Sequence, residues 1–136
     1  MDELQEIKKR KFQELKDRYM NRGTRMNENF PSTPLKITDA DINQTIKKYS
    51  TLVIDCWAPW CGPCRMVGPI IEDLAKEMQG DIVFGKLNVD ENQATSMKYQ
   101  IMSIPTMLIF KNGNLVDKLI GAMPKEQLKQ KLVTYQ

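Results

Sequence analysis

Apolar residues change their spacing several times along the chain, and each change predicts a new element of secondary structure. Short runs rich in Val, Ile, Leu and Phe are typical of β-strands. The run 51–57 is almost continuously apolar, which indicates a strand that is buried on both faces. We therefore predict five strands, over residues 35–37, 51–57, 82–88, 106–110 and 115–120.

Between these runs, apolar residues recur at helical spacing. The strongest pattern lies in residues 63–78, where Val67 and Leu74 would share one buried face. Thr38 or Asp39 is expected to cap the first helix of this region. Four helices are predicted: one that carries Ile42, Ile46 and Tyr49, one over 63–78, one over 92–99, and one that begins near Pro124.

The order of these elements predicts the fold class. Asn112-Gly113 separates the last two strands, and this dipeptide is a strong signal for a two-residue β-hairpin. Strands that alternate with helices form α/β domains. We therefore expect an α/β fold in which a central mixed β-sheet is flanked by α-helices, and which ends in a β-hairpin and a C-terminal helix.

The first 30 residues differ from the rest of the chain. They are rich in Glu, Lys, Gln and Arg, with a thin stripe of apolar residues, and Pro31 and Pro34 follow them. We predict that residues 1–30 are a charged helical extension, partly disordered, and that residues 31–136 form the domain. The extension is either a solvated, fraying segment, which we favour, or a helix that docks a partner, faces an acidic surface or covers part of its own domain.

Composition and charge exclude several classes of function. The chain has 136 residues, a net charge of +3 and charges of mixed sign throughout, which predicts no nucleic-acid partner. It contains no apolar run long enough to span a membrane. The charged N-terminus lacks the apolar core of a secretory signal, so we expect a reducing, cytoplasmic location. Because histidine is absent, catalytic schemes that need Cys-His or Ser-His-Asp are excluded.

Cys61 and Cys64 are the candidate catalytic residues. They stand between a predicted strand and the N-terminus of a helix, where residues three apart lie on one face and can form a disulfide. The helix N-terminus stabilises a thiolate by about 0.3–1 kcal/mol. We expect Cys61, which precedes the helix, to be the exposed nucleophile, and Cys64 to be the more buried resolving thiol. Gly62 and Pro63 add no charge between them, which favours a reductant over an oxidase or isomerase.

Other roles for the cysteines are weaker. Together with Cys56 the pair supplies three sulfur ligands, and without histidine this does not complete a tetrahedral zinc site. We therefore expect no metal and no cofactor. A purely structural disulfide across so short a loop would stabilise the fold little. Cys56 itself is expected to point into the core as a small apolar residue.

Two further residues support redox chemistry. Asp55 lies within an apolar strand, where burial would raise its pKa, and it could accept the proton of Cys64 during exchange. The alternative is that Asp55 lies exposed at the end of a strand. Pro105 precedes the fourth strand, where a cis Ile104-Pro105 bond would fit. The alternative there is a trans proline on an edge strand.

Several segments, in this order, resemble signatures of the thioredoxin family. They are Val53 to Cys64, Lys86 to Asp90, Ser103 to Thr106, Phe110 to Gly113, and Ile120 to Ala122. Cys56 departs from the family pattern, which often has an aromatic residue at this position. The resemblance covers residues from about 35 to 136.

The resemblance implies a thioredoxin fold and a protein-disulfide reductase that maintains the redox state of the cell. It implies Cys61 as nucleophile, Cys64 as resolving thiol, Asp55 as proton acceptor and Lys86 as the electrostatic partner of Asp55. It implies thioredoxin reductase and disulfide-containing target proteins as partners, and we expect a monomer. A redox-independent binding module remains the alternative from another class. The implied substrate-binding surface consists of Trp60, Gly62, Pro63, Val89, Ile104, cis Pro105, Gly121 and Ala122.

Overall fold

The computed structural model of the chain describes residues 8–12 and 30–136. Residues 8–12 are helical and exposed, and the rest of the predicted N-terminal extension lies outside the described residues. The unit Pro31–Gln136 contains the predicted domain.

Five strands form one sheet in the order β1-β3-β2-β4-β5. β2 pairs in parallel with β3 and antiparallel with β4, so the sheet is mixed, as predicted. Every strand lies within one residue of its predicted bounds at each end. The strands are β1 (Leu35–Lys36), β2 (Thr51–Trp57), β3 (Val83–Asn88), β4 (Thr106–Lys111) and β5 (Asn114–Ile120).

Four helices connect or follow these strands in the domain. All four predicted helices are present, although Tyr49 follows the first of them and Pro124 precedes the last. They are α1 (Ile42–Lys48), α2 (Gly62–Glu77), α3 (Gln93–Lys98) and α4 (Lys125–Val133).

The predicted cap of α1 is wrong. The residue before α1 is Asp41, and its carboxylate accepts a hydrogen bond from the backbone N–H of Thr38 rather than from the helix. The Asp39 carboxylate instead accepts hydrogen bonds from the backbone N–H groups of Ala94 and Thr95 at the start of α3. Local spacing could not predict this contact because it joins residues more than 50 positions apart.

The core lies on both faces of β2. Residues from Thr51 to Cys56 are all buried, which confirms the prediction from their continuous apolar pattern. α2 and α4 pack on one face of the sheet through fully buried side chains. These include Val53, Val67, Ile71, Leu74, Phe84, Ile109, Leu128 and Leu132.

The predicted hairpin is confirmed. Asn112 and Gly113 have φ values of 52° and 85°, and both lie in the left-handed region that a type I′ turn requires. Asn and Gly tolerate this backbone better than other residues do. The turn therefore sets the register of β5 against β4, which positions the end of β5 beside Pro105.

A matched pair of leucine substitutions tests the core. Leu128 is 0% exposed, whereas Leu115 on β5 is 37% exposed. We expect Leu128→Ala to lower the free energy of unfolding by about 2–5 kcal/mol, because it removes buried apolar contacts and leaves a cavity. Leu115→Ala should cost about 1 kcal/mol or less. Urea unfolding of both variants measures the difference, and equal losses would contradict the assignment of the core.

Candidate active site

The cysteine pair lies where β2 leads into α2. Cys61 is the N-cap residue of α2, and Pro63 occupies the first turn, where proline needs no N–H partner. Cys61 and Cys64 form a disulfide with a Cα–Cα distance of 5.3 Å. The backbone N–H of Cys64 donates a hydrogen bond to the Cys61 sulfur over 3.2 Å. The helix N-terminus thus directs a hydrogen-bond donor at the Cys61 sulfur.

The two cysteine residues do not differ in exposure as expected. Cys61 is 4% exposed and Cys64 is 5% exposed, so the prediction that Cys61 is the exposed member of the pair is wrong for the disulfide form. Both side chains pack with Ala58, and Val89 and Ile104 cover them from neighbouring loops. The asymmetry of the pair therefore lies in its hydrogen bonding and helix position rather than in burial.

Asp55 lies in the middle of β2 and is fully buried, which excludes the alternative of an exposed strand end. Among the residues that the structure describes, none donates a hydrogen bond to either carboxylate oxygen. Burial raises the pKa of Asp55 from 3.8 to about 6, although the positive charge of Lys86 opposes this rise. Lys86 is the residue directly opposite Asp55 on the neighbouring strand β3.

The Lys86 ammonium lies close to both β2 and α2. Its Nζ is 5.0 Å from the centre of the Trp57 ring, within the range of a cation–π contact. A Cβ atom added to Gly68 of α2 would stand 3.6 Å from the same nitrogen. Lys86 and Cys64 line one open cleft of about 310 Å³, so the cation and the second cysteine share a space that water can enter.

The loop before β4 completes the site. The Ile104-Pro105 bond is cis, as predicted, and the Ile104 carbonyl oxygen lies 3.8 Å from the Cys61 sulfur. The backbone N–H of Gly121 donates a hydrogen bond to the Pro105 carbonyl over 2.9 Å. Gly121 has a φ of 93°, which suits glycine, and the next residue, Ala122, is exposed. The fold therefore brings Ile104 beside the cysteine pair and Gly121 beside Pro105.

Trp60 and Val89 border the pair on another side. The Trp60 side chain is 69% exposed, and its indole N–H donates a hydrogen bond to the Asp90 carboxylate over 2.9 Å. Gly62 and Pro63 are also exposed. Next to Trp60 lies a cavity of about 390 Å³. Its lining consists of Trp60, Val89 and Ile104, which were predicted, and of Ser96, Ile101, Met102 and Ser103, which were not.

Met102 is the most informative residue that sequence reasoning missed. It is 92% exposed, which is unusual for a large apolar side chain. The available signal was its position just before Ile104 and Pro105, in a loop expected to face the cysteines. An exposed methionine cannot be told from a buried one by pattern, because the loop has no periodicity.

Cys56 is buried and forms no disulfide, as expected. Burial and the neighbouring Asp55 charge raise the pKa of its thiol to about 12. Such a thiol stays protonated at neutral pH and is a poor nucleophile. Among residues 8–12 and 30–136, no cluster of three or more His, Cys, Asp or Glu side chains could hold a metal ion.

Comparison with known proteins identifies the family. The family model for thioredoxin matches residues 33–134. The chain belongs to the thioredoxin family. It is 48% identical over 98 residues to thioredoxin from Staphylococcus aureus strain Mu50 and, equally, to that from strain MW2, with 72% of this chain and 93% of each relative covered.

A solved structure agrees with this membership. The N21Q mutant thioredoxin from Halobacterium salinarum NRC-1 is 31% identical and has a TM-score of 0.74, with 78% of this chain and 93% of that chain covered. The fold is thus a thioredoxin fold. The protein is a thiol-disulfide oxidoreductase that acts by dithiol-disulfide exchange, with the redox-active pair Cys61 and Cys64. Within the described residues, no helix is long and apolar enough to cross a membrane.

The pKa of Asp55 makes stability depend on pH. An unfolded aspartate has a pKa of about 3.9, whereas that of folded Asp55 is about 6. Near pH 2 both states are protonated, to about 99%. As the pH rises towards about 8, the unfolded state loses its proton before folded Asp55 does. Stability should therefore fall by about 3 kcal/mol across this window and then level off.

Asp55→Asn removes this titration. We expect the unfolding free energy of the oxidised variant, minus that of the oxidised wild type, to grow by about 2 kcal/mol between pH 4 and pH 7. Urea unfolding at several pH values measures it. Parallel pH profiles for the two proteins would show that Asp55 titrates normally in the fold.

Proposed function

We propose that the protein is a general protein-disulfide reductase in which Cys61 attacks and Cys64 resolves. This proposal rests on the position of the Cys61 sulfur at the N-cap of α2. There it accepts a hydrogen bond from the Cys64 N–H and lies beside the Ile104 carbonyl. A negative charge on Cys61 is stabilised there by the amide and by the helix dipole. A charge on Cys64, within the first turn, gains less.

The exchange proceeds in two steps. The Cys61 thiolate attacks one sulfur of the target disulfide, which forms a mixed disulfide and releases the other target thiolate. Cys64 then loses its proton and attacks the Cys61 sulfur, which releases the second target thiolate and leaves the Cys61–Cys64 disulfide. The target gains two electrons and, on protonation of its thiolates, two protons.

Asp55 accepts the proton of Cys64 in the second step, and Lys86 assists it. A pKa of about 6 lies nearer to that of a thiol than the ordinary value does, so the carboxylate is a better base for this transfer. Lys86 pairs with Asp55 across β2 and β3 and lines the same cleft as Cys64, so water in this cleft can carry the proton from Cys64 as far as the neighbour of Asp55. The Lys86 charge keeps enough Asp55 ionised at neutral pH to act.

The target backbone pairs with Ile104 beside cis Pro105, in the manner of an added β-strand. The surrounding surface is apolar and is built from several loops, which suits targets of varied sequence. The cavity beside Trp60 accepts an apolar side chain next to the target cysteine. The contacting residues are Trp60, Gly62, Pro63, Val89, Ile104, Pro105, Gly121 and Ala122, with Ile101 and Met102 at the cavity.

Thioredoxins generally work with a thioredoxin reductase and with disulfide-bearing targets. For this chain a thioredoxin reductase regenerates the dithiol, and the location is the cytoplasm, as is typical of its homologues. Residues 31–136 are the catalytic domain and residues 1–30 a separate segment. The family match, which begins at residue 33, supports this division.

Single cysteine substitutions test the order of attack. Cys61→Ser should reduce the rate of insulin reduction by dithiothreitol to the uncatalysed rate, because the nucleophile is lost. Cys64→Ser should accumulate a mixed disulfide between Cys61 and insulin that mass spectrometry detects. Cys56→Ser is the control and should retain activity, since that thiol is buried and protonated. A mixed disulfide on Cys64 in the Cys61→Ser variant would reverse the assignment.

Substitution of Met102 tests whether the cavity beside Trp60 binds a side chain of the target. The probes are two disulfide peptides that differ only in a Leu or Ser next to the cysteine. We expect the wild type to favour the Leu peptide about tenfold in kcat/KM, because the cavity buries its side chain. Met102→Gln, of similar length but polar, should reduce this preference to about threefold.

Met97→Gln is the matched control for this test. Met97 is 78% exposed but does not line the cavity, so its substitution should leave the preference unchanged. Equal discrimination by wild type and Met102→Gln would exclude the cavity as a binding site.

A further inference from the structure

The exposed Trp60 ring is tied to the loop that follows β3. Its indole N–H donates to the Asp90 carboxylate over 2.9 Å. Asp90 is itself fixed by a tight local turn, since its backbone N–H donates to the side-chain oxygen of Asn88 over 2.9 Å. The orientation of the indole therefore depends on where residues 88–90 are held.

Asn92 anchors these residues from within the protein. It is 4% exposed, and its side-chain amide donates to the Asn88 carbonyl over 3.0 Å. Its side-chain oxygen accepts a hydrogen bond from the Asp39 backbone N–H over 2.8 Å. One buried amide thus bridges the end of β3 and the loop before α1.

Asp39 extends the same chain of hydrogen bonds to α3. Its carboxylate accepts from the Thr95 N–H over 2.9 Å and from the Thr95 hydroxyl over 2.6 Å. It also accepts from the Ala94 N–H over 3.3 Å. The Thr95 hydroxyl bond holds the pKa of Asp39 below its ordinary value, so the carboxylate stays charged and the contact persists at neutral pH.

We infer that Asn92 and Asp39 are positioning residues for substrate binding, which act on the Trp60 indole through Asn88 and Asp90. The inference rests on the proposed function, in which Trp60 contacts the target. An exposed tryptophan that is held in one orientation loses less conformational freedom when a target binds. None of the hydrogen bonds that link Thr95 to Trp60 involves the cysteines or Asp55. The chemical steps therefore do not depend on this series of hydrogen bonds.

This separation predicts a specific kinetic effect. Loss of the Asn92 bridge should raise the KM for a protein disulfide by about threefold to tenfold and leave kcat nearly unchanged.

A double-mutant cycle tests the route from Asn92 to Trp60. Asn92→Ala is measured alone and together with Trp60→Phe, which keeps an aromatic ring but removes the N–H donor. With insulin as substrate, Asn92→Ala should raise KM in the wild-type background and have no further effect in the Trp60→Phe background. An equal rise of KM in both backgrounds, or no rise in the wild-type background, would overturn the inference.

Two further variants keep the test decisive if Asn92→Ala folds poorly. Asp90→Ala cuts the chain at an exposed residue and should reproduce the rise in KM. Asp117→Asn is the matched control for Asp39→Asn. Its carboxylate also accepts an O–H and an N–H bond, from Tyr135 and Lys118, but lies outside the Trp60 chain. We expect Asp39→Asn to raise KM and Asp117→Asn to leave it unchanged.

The results distinguish a failure of the proposed reductase function from a failure of the positioning role. If the wild type does not reduce insulin, the proposed function fails. If the wild type reduces insulin but Asp90→Ala changes kcat and not KM, the reductase remains and the positioning role is excluded.

Discussion

The burial of β2 is the constraint on which the site depends. This strand pairs with β3 on one side and with β4 on the other, and its residues from Thr51 to Cys56 are shielded from solvent. Neighbours on both sides satisfy its backbone N–H and C=O groups, which fixes its register in the sheet. The chain leaves β2 at Trp57 and reaches Cys61 within a short turn. The cysteine pair is therefore held by the central strand of the sheet.

The same burial has an energetic cost that the chemistry uses. An apolar residue at position 55 would suit β2 better, because the Asp55 carboxylate is fully buried and no described side chain or backbone group donates a hydrogen bond to it. Its ionisation costs about 3 kcal/mol, a large part of the 5–15 kcal/mol by which domains are usually stable. A pKa of about 6 makes the carboxylate a stronger base than a solvated aspartate. The buried Asp55 carboxylate therefore both destabilises the fold and serves as the proposed proton acceptor.

The sequence predicted the features whose causes are local. Asn112-Gly113 specifies the hairpin through backbone conformations that few residues tolerate, and the apolar run of β2 specifies a buried strand. The Cys61 and Cys64 spacing predicts a disulfide because one helical turn brings the two together. The role of Asp39 could not be predicted, since Thr95 meets it only after the sheet has formed. The equal burial of the cysteines also arises from distant loops, which cover both of them.

Features with local causes and features that depend on distant contacts belong to different parts of the site. The proposed reacting groups lie on β2, β3 and the start of α2, where paired strands and helix geometry leave little freedom. The proposed recognition surface is assembled from loops around Trp60, Val89, Met102 and Gly121, and it needs anchors that reach across the fold. Loops tolerate change more readily than paired strands do. Substitutions in the loops can therefore alter the choice of target, because Asp55 and the cysteine pair belong to elements that are held independently of them.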